Sequence, residues 1–180
     1  FRGRDFYLAH NGNLVNTSEL RKRAESAEDC SDTQVIVDLI ARSTCNDIDS
    51  AIFSVLPELQ GSFNLIILFE NRIYAIRDSY GFHPLSLGSR GDDVVVASES
   101  CVFDHLGARL IRDVRPGEAI ILFEHGGCYG FPWTSSNFLK IDIFEYIYFL
   151  RPDSICHGVE AGRARRIMGK YLADAYPFDC

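Results

Sequence analysis

Asn11 and Gly12 are the residues of this sequence best placed to do chemistry. They follow Phe6-Tyr7-Leu8-Ala9, an apolar run that reads as a strand. Asn-Gly is the strongest short turn signal, because both residues tolerate positive φ. A turn there leaves backbone N–H groups pointing outward beside the Asn11 side-chain amide. Donors gathered at a strand end suit a developing negative oxygen, the arrangement of an oxyanion hole. The competing reading is an ordinary hairpin turn. Asp32 is a second candidate, in the first turn of a helical pattern behind Ser31. A carboxylate there either complements the helix dipole or is held to grip the ammonium group of a substrate.

Other chemistry-bearing residues read more plainly. His10 and His83 have no serine or cysteine partner marked by spacing, so both read as structural or surface histidines. Cys101, beside Glu99 and its flanking serines, lacks an identifiable base and reads as a buried structural thiol. The five histidines and six cysteines are scattered, with no metal-ligand spacing, and no G-x-G-x-x-G or Walker loop occurs. No metal is expected.

The elements that must position Asn11, Gly12 and Asp32 follow from periodicity. Asn16-Thr17-Ser18-Glu19 resembles a capping box and predicts a short polar helix through Ala24. Ser31 and Gln34 cap a second helix, whose face is Val35, Ile36, Leu39 and Ile40. A third runs from Asp49 to about Leu56 with Ile52, Phe53 and Leu56 inward, ended by Pro57. From Ser62 the period changes. Phe63–Phe69 and Ile73–Arg77 predict a hairpin, followed by strands at Leu85–Leu87, Val94–Ala97 and Ala119–Phe123. A short helix from Ser98 or Glu99 to Leu106 interrupts the series. Gly126-Gly127 reads as a hairpin turn, Thr134-Ser135-Ser136-Asn137 as a polar loop, and Phe144–Phe149 as a last strand. Val159–Ala173 reads as a helix, its basic cluster near Arg165 a solvated face or an interdomain surface. Consecutive strands with helices before and after predict an α+β class with antiparallel sheets.

The composition, 47% hydrophobic and 24% charged with a net charge of −7, is that of a soluble globular chain. The acidic balance argues against nucleic acid and against an anionic membrane surface as partners. The cysteines, at 30, 45, 101, 128, 156 and 180, show no C-x-x-C pair and suit reduced thiols in the cytoplasm. The chain opens at Phe1 without an initiator Met and closes directly behind a helical pattern. It therefore reads as an internal piece of a longer protein.

Several segments taken in order carry a resemblance: His10-Asn11-Gly12-Asn13-Leu14, Ser31-Asp32-Thr33, Arg77-Asp78 with Tyr80-Gly81-Phe82-His83-Pro84-Leu85, and Ala97-Ser98-Glu99-Ser100. Arg112-Asp113-Val114 with Pro116-Gly117-Glu118, and Phe144-Glu145-Tyr146-Ile147-Tyr148-Phe149 with Arg151-Pro152-Asp153-Ser154, complete it. Across essentially the whole chain their order resembles that of the glutamine phosphoribosylpyrophosphate amidotransferases, within the class II glutamine amidotransferases. The resemblance implies a four-layer α/β/β/α N-terminal-nucleophile hydrolase fold lacking its N-terminal part. Residues 1–150 would be the C-terminal portion of the glutaminase domain. Residues 151–180 would be a linker and first helix toward a phosphoribosyltransferase domain. It also implies that glutamine hydrolysis supplies ammonia, which displaces pyrophosphate from phosphoribosylpyrophosphate to give 5-phosphoribosylamine in purine synthesis.

By position, Asn11 (side chain) and Gly12 (backbone N–H) would form the oxyanion hole and Asp32 would bind the α-amino group of glutamine. Tyr148 would line or gate the ammonia path between domains. The nucleophilic N-terminal cysteine has no counterpart here, so the 180 residues alone are expected to be inactive. Mg2+ would belong to the phosphoribosyltransferase domain. Asp142 stands where some relatives carry a cysteine that ligates an iron–sulfur cluster, which argues against such a cluster. The parent protein would be a cytoplasmic homo-oligomer. A catalytically dead binding or regulatory module, and another class II amidotransferase, are the competing readings.

Overall fold

The computed structural model describes residues 1–135 and 138–177. Ser136 and Asn137 of the expected polar loop lie outside the described residues, as do Phe178–Cys180. The chain gathers into two compact units that interleave in sequence: Phe1–His83 with Arg115–Lys140, and Pro84–Val114 with Ile141 onward.

The first unit is built on a five-stranded antiparallel sheet in the order β1-β2-β3-β7-β8. Its strands are β1 (Phe6–Leu14), β2 (Gly61–Phe69), β3 (Arg72–Arg77), β7 (Glu118–Phe123) and β8 (Cys128–Pro132). Three helices, α1 (Thr17–Ala24), α2 (Asp32–Ala41) and α3 (Ile48–Val55), connect β1 to β2. Their apolar sides share one core with alternate residues of the strands. Val35, Ile36, Leu39 and Ile40 of α2, and Ile48, Ala51, Ile52 and Val55 of α3, pack with Phe63, Leu65, Ile67, Tyr74, Ile76 and Ile121. Burial of each large side chain contributes about 1.5–3 kcal/mol, so this face is what holds the helices to the sheet.

The second unit holds the three-stranded sheet β5-β4-β6, made of β4 (Ser86–Arg90), β5 (Asp93–Ala97) and β6 (Arg109–Asp113). With it go α4 (Cys101–Leu106), the two-residue pair β9 (Ile155–Cys156) and β10 (Val159–Glu160), and α5 (Ala161–Ala175). The expected α+β class with antiparallel sheets is what both units show.

Local departures from expectation have identifiable causes. Asn11-Gly12 is not a turn. β1 runs unbroken to Leu14, with Asn11 opposite Asn64 and Gly12 opposite Phe63. Glycine is required for another reason: at φ +145° a Cβ on Gly12 would lie 2.1 Å from the Ser62 carbonyl oxygen. Asn16 makes no cap bond to α1, because its amide is committed to Glu58 and Gln60 beyond the helices. α3 starts at the cap Asp47, which buries Ile48 and Val55 beside Ile52, while Phe53 is half-buried and packs against the margin of the same core.

Phe144–Phe149 is not a strand. Glu145–Phe149 winds into a single π-helical turn. Its aromatic and β-branched composition mimics a strand, but side-chain contacts decide the backbone. Arg165 of α5 donates from Nε to the Tyr146 carbonyl (2.7 Å) and from Nη2 to the Leu150 carbonyl (2.6 Å). The Tyr146 hydroxyl donates to the Cys156 carbonyl at 2.6 Å. Arg165 is thus not a purely solvated residue. Arg109–Asp113 is not among the expected strands, and pairing with β4 makes it β6; β8 is the partner that the Gly126-Gly127 hairpin turn implies for β7. Among the described residues, no helix is long and apolar enough to cross a membrane.

Candidate functional site

β1 stands at the edge of the five-stranded sheet and carries most of the candidate residues. Its side chains alternate: Phe6, Leu8, His10, Gly12 and Leu14 face the helices, while Tyr7, Ala9, Asn11 and Asn13 are exposed on the opposite face. The Asn11 amide is therefore presented outward. The Val15 N–H donates to the Gln60 carbonyl at 2.8 Å. Antiparallel ladders alternate between paired and outward-pointing N–H groups. Counting back from Val15, the N–H groups of Gly12 and Leu14 lie along the edge away from β2.

The Leu14 N–H is taken up by Asp32, whose Oδ2 accepts it at 3.2 Å. Asp32 is fixed from several sides. Ser31 caps α2 by accepting the Gln34 N–H at 3.2 Å, and Asp32 Oδ1 accepts the Thr33 N–H at 2.8 Å. His10 lies beneath it with its side chain only 1% exposed; Nδ1 is 3.2 Å from Thr33 Oγ1 and 3.7 Å from Asp32 Oδ1. Burial holds the His10 pKa below its usual value, against the opposing pull of Asp32 and the Ser62 carbonyl. The ring thus favours its neutral form beside a carboxylate. One sheet edge carries an outward amide N–H and, two residues on, a carboxylate anchored to the same strand. Strand rise puts Gly12 and Leu14 roughly 7 Å apart. Such an edge can hold an oxyanion at one end and an ammonium group at the other.

His10 and Thr33 belong to this constellation through space alone; 23 residues separate them, so no periodicity could link them. His83 contributes its carbonyl, which accepts from the buried Arg77 Nε at 2.9 Å. Behind the edge, the buried Asp78 carboxylate accepts the N–H groups of Tyr80, Gly81, Phe82 and Phe63, tying the Tyr80–His83 turn to β2 opposite Gly12. Cys101 is buried, and Cys30, Cys45, Cys101, Cys128 and Cys156 are all free thiols. Tyr148 belongs to the second unit. It sits on the π-helical turn, 78% exposed and edge-on to Phe149 at 5.7 Å. Among the described residues, no three His, Cys, Asp or Glu side chains are grouped to hold a metal ion.

Residues 1–105, which contain β1, α2 and the Asp32 anchor, match the glutamine amidotransferase domain model. The chain belongs to the glutamine amidotransferase domain family. Within that family it is 40% identical over 178 residues to the amidophosphoribosyltransferase of Archaeoglobus fulgidus and 39% identical over 175 residues to that of Bacillus subtilis. These alignments take in 96% and 92% of this chain, but 39% and 36% of the relatives. The chain thus spans about two fifths of the length of the curated relatives it matches. Its fold superposes with a TM-score of 0.93 on the Bacillus subtilis glutamine phosphoribosylpyrophosphate amidotransferase complexed with ADP and GMP. That pairing is 37% identical and covers 99% of this chain and 40% of that one. The likeness carries the N-terminal-nucleophile hydrolase class expected from the motifs. A glutamine aminotransferase class-II domain protein from Silicibacter pomeroyi, 14% identical at a TM-score of 0.51, shares the fold alone.

Proposed function

We propose that residues 1–150 form the C-terminal portion of the glutaminase part of an amidophosphoribosyltransferase, and that residues 151–180 lead toward its phosphoribosyltransferase part. In the parent reaction, glutamine is hydrolysed to glutamate and ammonia. The ammonia then displaces pyrophosphate from phosphoribosylpyrophosphate to give 5-phosphoribosylamine. The observation that carries this reading is the 40% identity to the Archaeoglobus fulgidus enzyme over 96% of the chain. The Ala-Ser-Glu-Ser run at 97–100, within the matched domain residues, and the Phe-Glu-Tyr-x-Tyr-Phe run at 144–149, beyond them, favour this enzyme over other class II amidotransferases.

The edge of β1 supports a division of labour. The outward Gly12 N–H and the exposed Asn11 amide stabilise the oxyanion formed when a cysteine thiolate attacks the glutamine side-chain amide. Asp32, held by the Leu14 N–H, receives the α-ammonium group, and the roughly 7 Å between the two ends suits an extended glutamine. Tyr148, on its exposed turn, lines the route by which ammonia leaves. None of the six cysteines is N-terminal, so residues 1–180 by themselves hydrolyse no glutamine. Mg2+ goes with the phosphoribosyltransferase part. Asp142, whose carboxylate caps the Phe144 N–H at 2.9 Å, offers oxygen where an iron–sulfur site needs a thiolate, so these residues do not fit a cluster. The parent is a cytoplasmic homo-oligomer.

The test is the longest natural chain that carries residues 1–180, given glutamine and phosphoribosylpyrophosphate. Pyrophosphate release is expected, and Asn11→Ala lowers kcat by about 10²–10³ with little change in KM. A chain that binds glutamine without turning it over, and is indifferent to Asn11→Ala, would be a binding module instead.

A further inference from the structure

The Ala-Ser-Glu-Ser segment has no part in the edge site, yet its side chains are spent on one distant stretch of the same unit. Glu99 Oε2 accepts the Arg151 N–H at 2.8 Å and the Ser154 hydroxyl at 2.7 Å. Ser100 Oγ accepts the Ile155 N–H at 2.6 Å. Both serines are buried. Asp113 at the end of β6 adds a third point, accepting the His157 N–H at 2.9 Å through one oxygen and the Ser86 hydroxyl at 3.1 Å through the other. Residues 151–157 are thus held at three successive points by side chains from the β5–α4 connection and β6.

That stretch begins immediately after the π-helical turn. The Leu150 N–H closes the turn on the Glu145 carbonyl at 2.9 Å, and Arg165 and the Tyr146 hydroxyl brace its two ends. A single π turn is a rare, weakly bonded conformation that persists only where its surroundings hold it. Of the two carboxylates among these fastening points, Glu99 is the one that holds Arg151, the residue directly after the Leu150 that closes the turn. Charge-assisted hydrogen bonds are about twice as strong as neutral ones, so Glu99 is the member whose removal loosens the exit of the turn most.

We propose that Glu99 is a positioning residue for ammonia transfer: by fastening Arg151 and Ser154 it fixes the turn that presents Tyr148, and so couples glutamine hydrolysis to use of the ammonia. The inference rests on the proposed amidophosphoribosyltransferase reading. Glu99 touches no reacting atom. A neutral isostere that still accepts both hydrogen bonds keeps much of the function, whereas truncation frees the turn.

The experiment measures three rates on the longest natural chain carrying these residues: glutamine hydrolysis, phosphoribosylamine formation from ammonium chloride, and phosphoribosylamine formation from glutamine. For Glu99→Ala the third rate is expected to fall by about tenfold relative to the first two, and Glu99→Gln to restore most of it. Ser154→Ala, which removes one of the two bonds and keeps the carboxylate, gives a smaller uncoupling and serves if Glu99→Ala does not fold. Equal loss of all three rates in the folded variants, or no loss in any, overturns the proposal. Failure of the underlying reading looks different: the unsubstituted chain then forms no phosphoribosylamine from either nitrogen source.

Discussion

Asp32 and Leu14 are joined by a single hydrogen bond, from the strand's last N–H to the carboxylate on the first turn of α2, at 3.2 Å. The bond fixes where a negative charge stands relative to the edge of β1. Exchange of Asp32 for Asn keeps an acceptor for Leu14 and removes the charge. Glutamine KM is expected to rise and kcat/KM to fall by about 10–100-fold, with kcat changed far less. Steady-state kinetics on the longest natural chain decide it. A fall confined to kcat would remove Asp32 from glutamine binding.

Gly12→Ala tests the strand crossing. The added methyl would meet the Ser62 carbonyl oxygen at 2.1 Å and sit at φ +145°, and the neighbour is backbone that cannot swing aside. A destabilisation of about 2–4 kcal/mol is expected in urea unfolding. A cost under about 1 kcal/mol would mean that β1 and β2 do not approach this closely.

His10 gives a pH signature. Its folded-state pKa lies below the ordinary 6.5 because burial disfavours the charged ring; His83 acts in the same direction, and Asp32 and the Ser62 carbonyl oppose it. The unfolded chain therefore takes up a proton first as pH falls. Stability attributable to the neutral ring is complete above 6.5 and is lost between 6.5 and the lower folded value. Unfolding free energies measured across this window should decline more steeply for the natural chain than for His10→Gln. Parallel curves would contradict it.

Arg165→Lys tests the π-helical turn. One ammonium group cannot serve the Tyr146 and Leu150 carbonyls together, as the guanidinium fork does. A loss of about 1–3 kcal/mol is expected. Faster amide hydrogen exchange at Leu150, whose N–H closes the turn, would report it directly.

The N-cap and core face of α2 and the β2–β3 hairpin were legible because their information is local: Ser31 to Gln34, a helical stripe, two apolar runs around a tight connection. The same holds for the glycine at position 12, though its reason was misread. Asn-Gly marks tolerance for positive φ, and a strand crossing uses that tolerance as readily as a turn does. What stayed hidden is carried by contacts between distant residues. The π turn depends on Arg165 and Cys156, and β6 exists because β4 offers it a partner. At the site, Asp32 could be singled out from its cap position, but its bond to Leu14 and its closeness to His10 join elements whose spacing no periodicity encodes.

The interleaving of the two units along the chain has a consequence for synthesis. β3 pairs with β7, yet the stretch between them passes through Pro84–Val114 of the other unit. A growing chain therefore displays a β1-β2-β3 sheet whose β3 edge has no partner until roughly 40 more residues have emerged, an interval of about 2–8 s at ordinary translation rates. Through that interval Ile73, Ala75 and their neighbours offer an open strand edge to any other nascent chain. The Arg72 and Arg77 that bracket β3 then put like charges at both ends of that edge, disfavouring in-register pairing with a copy of itself.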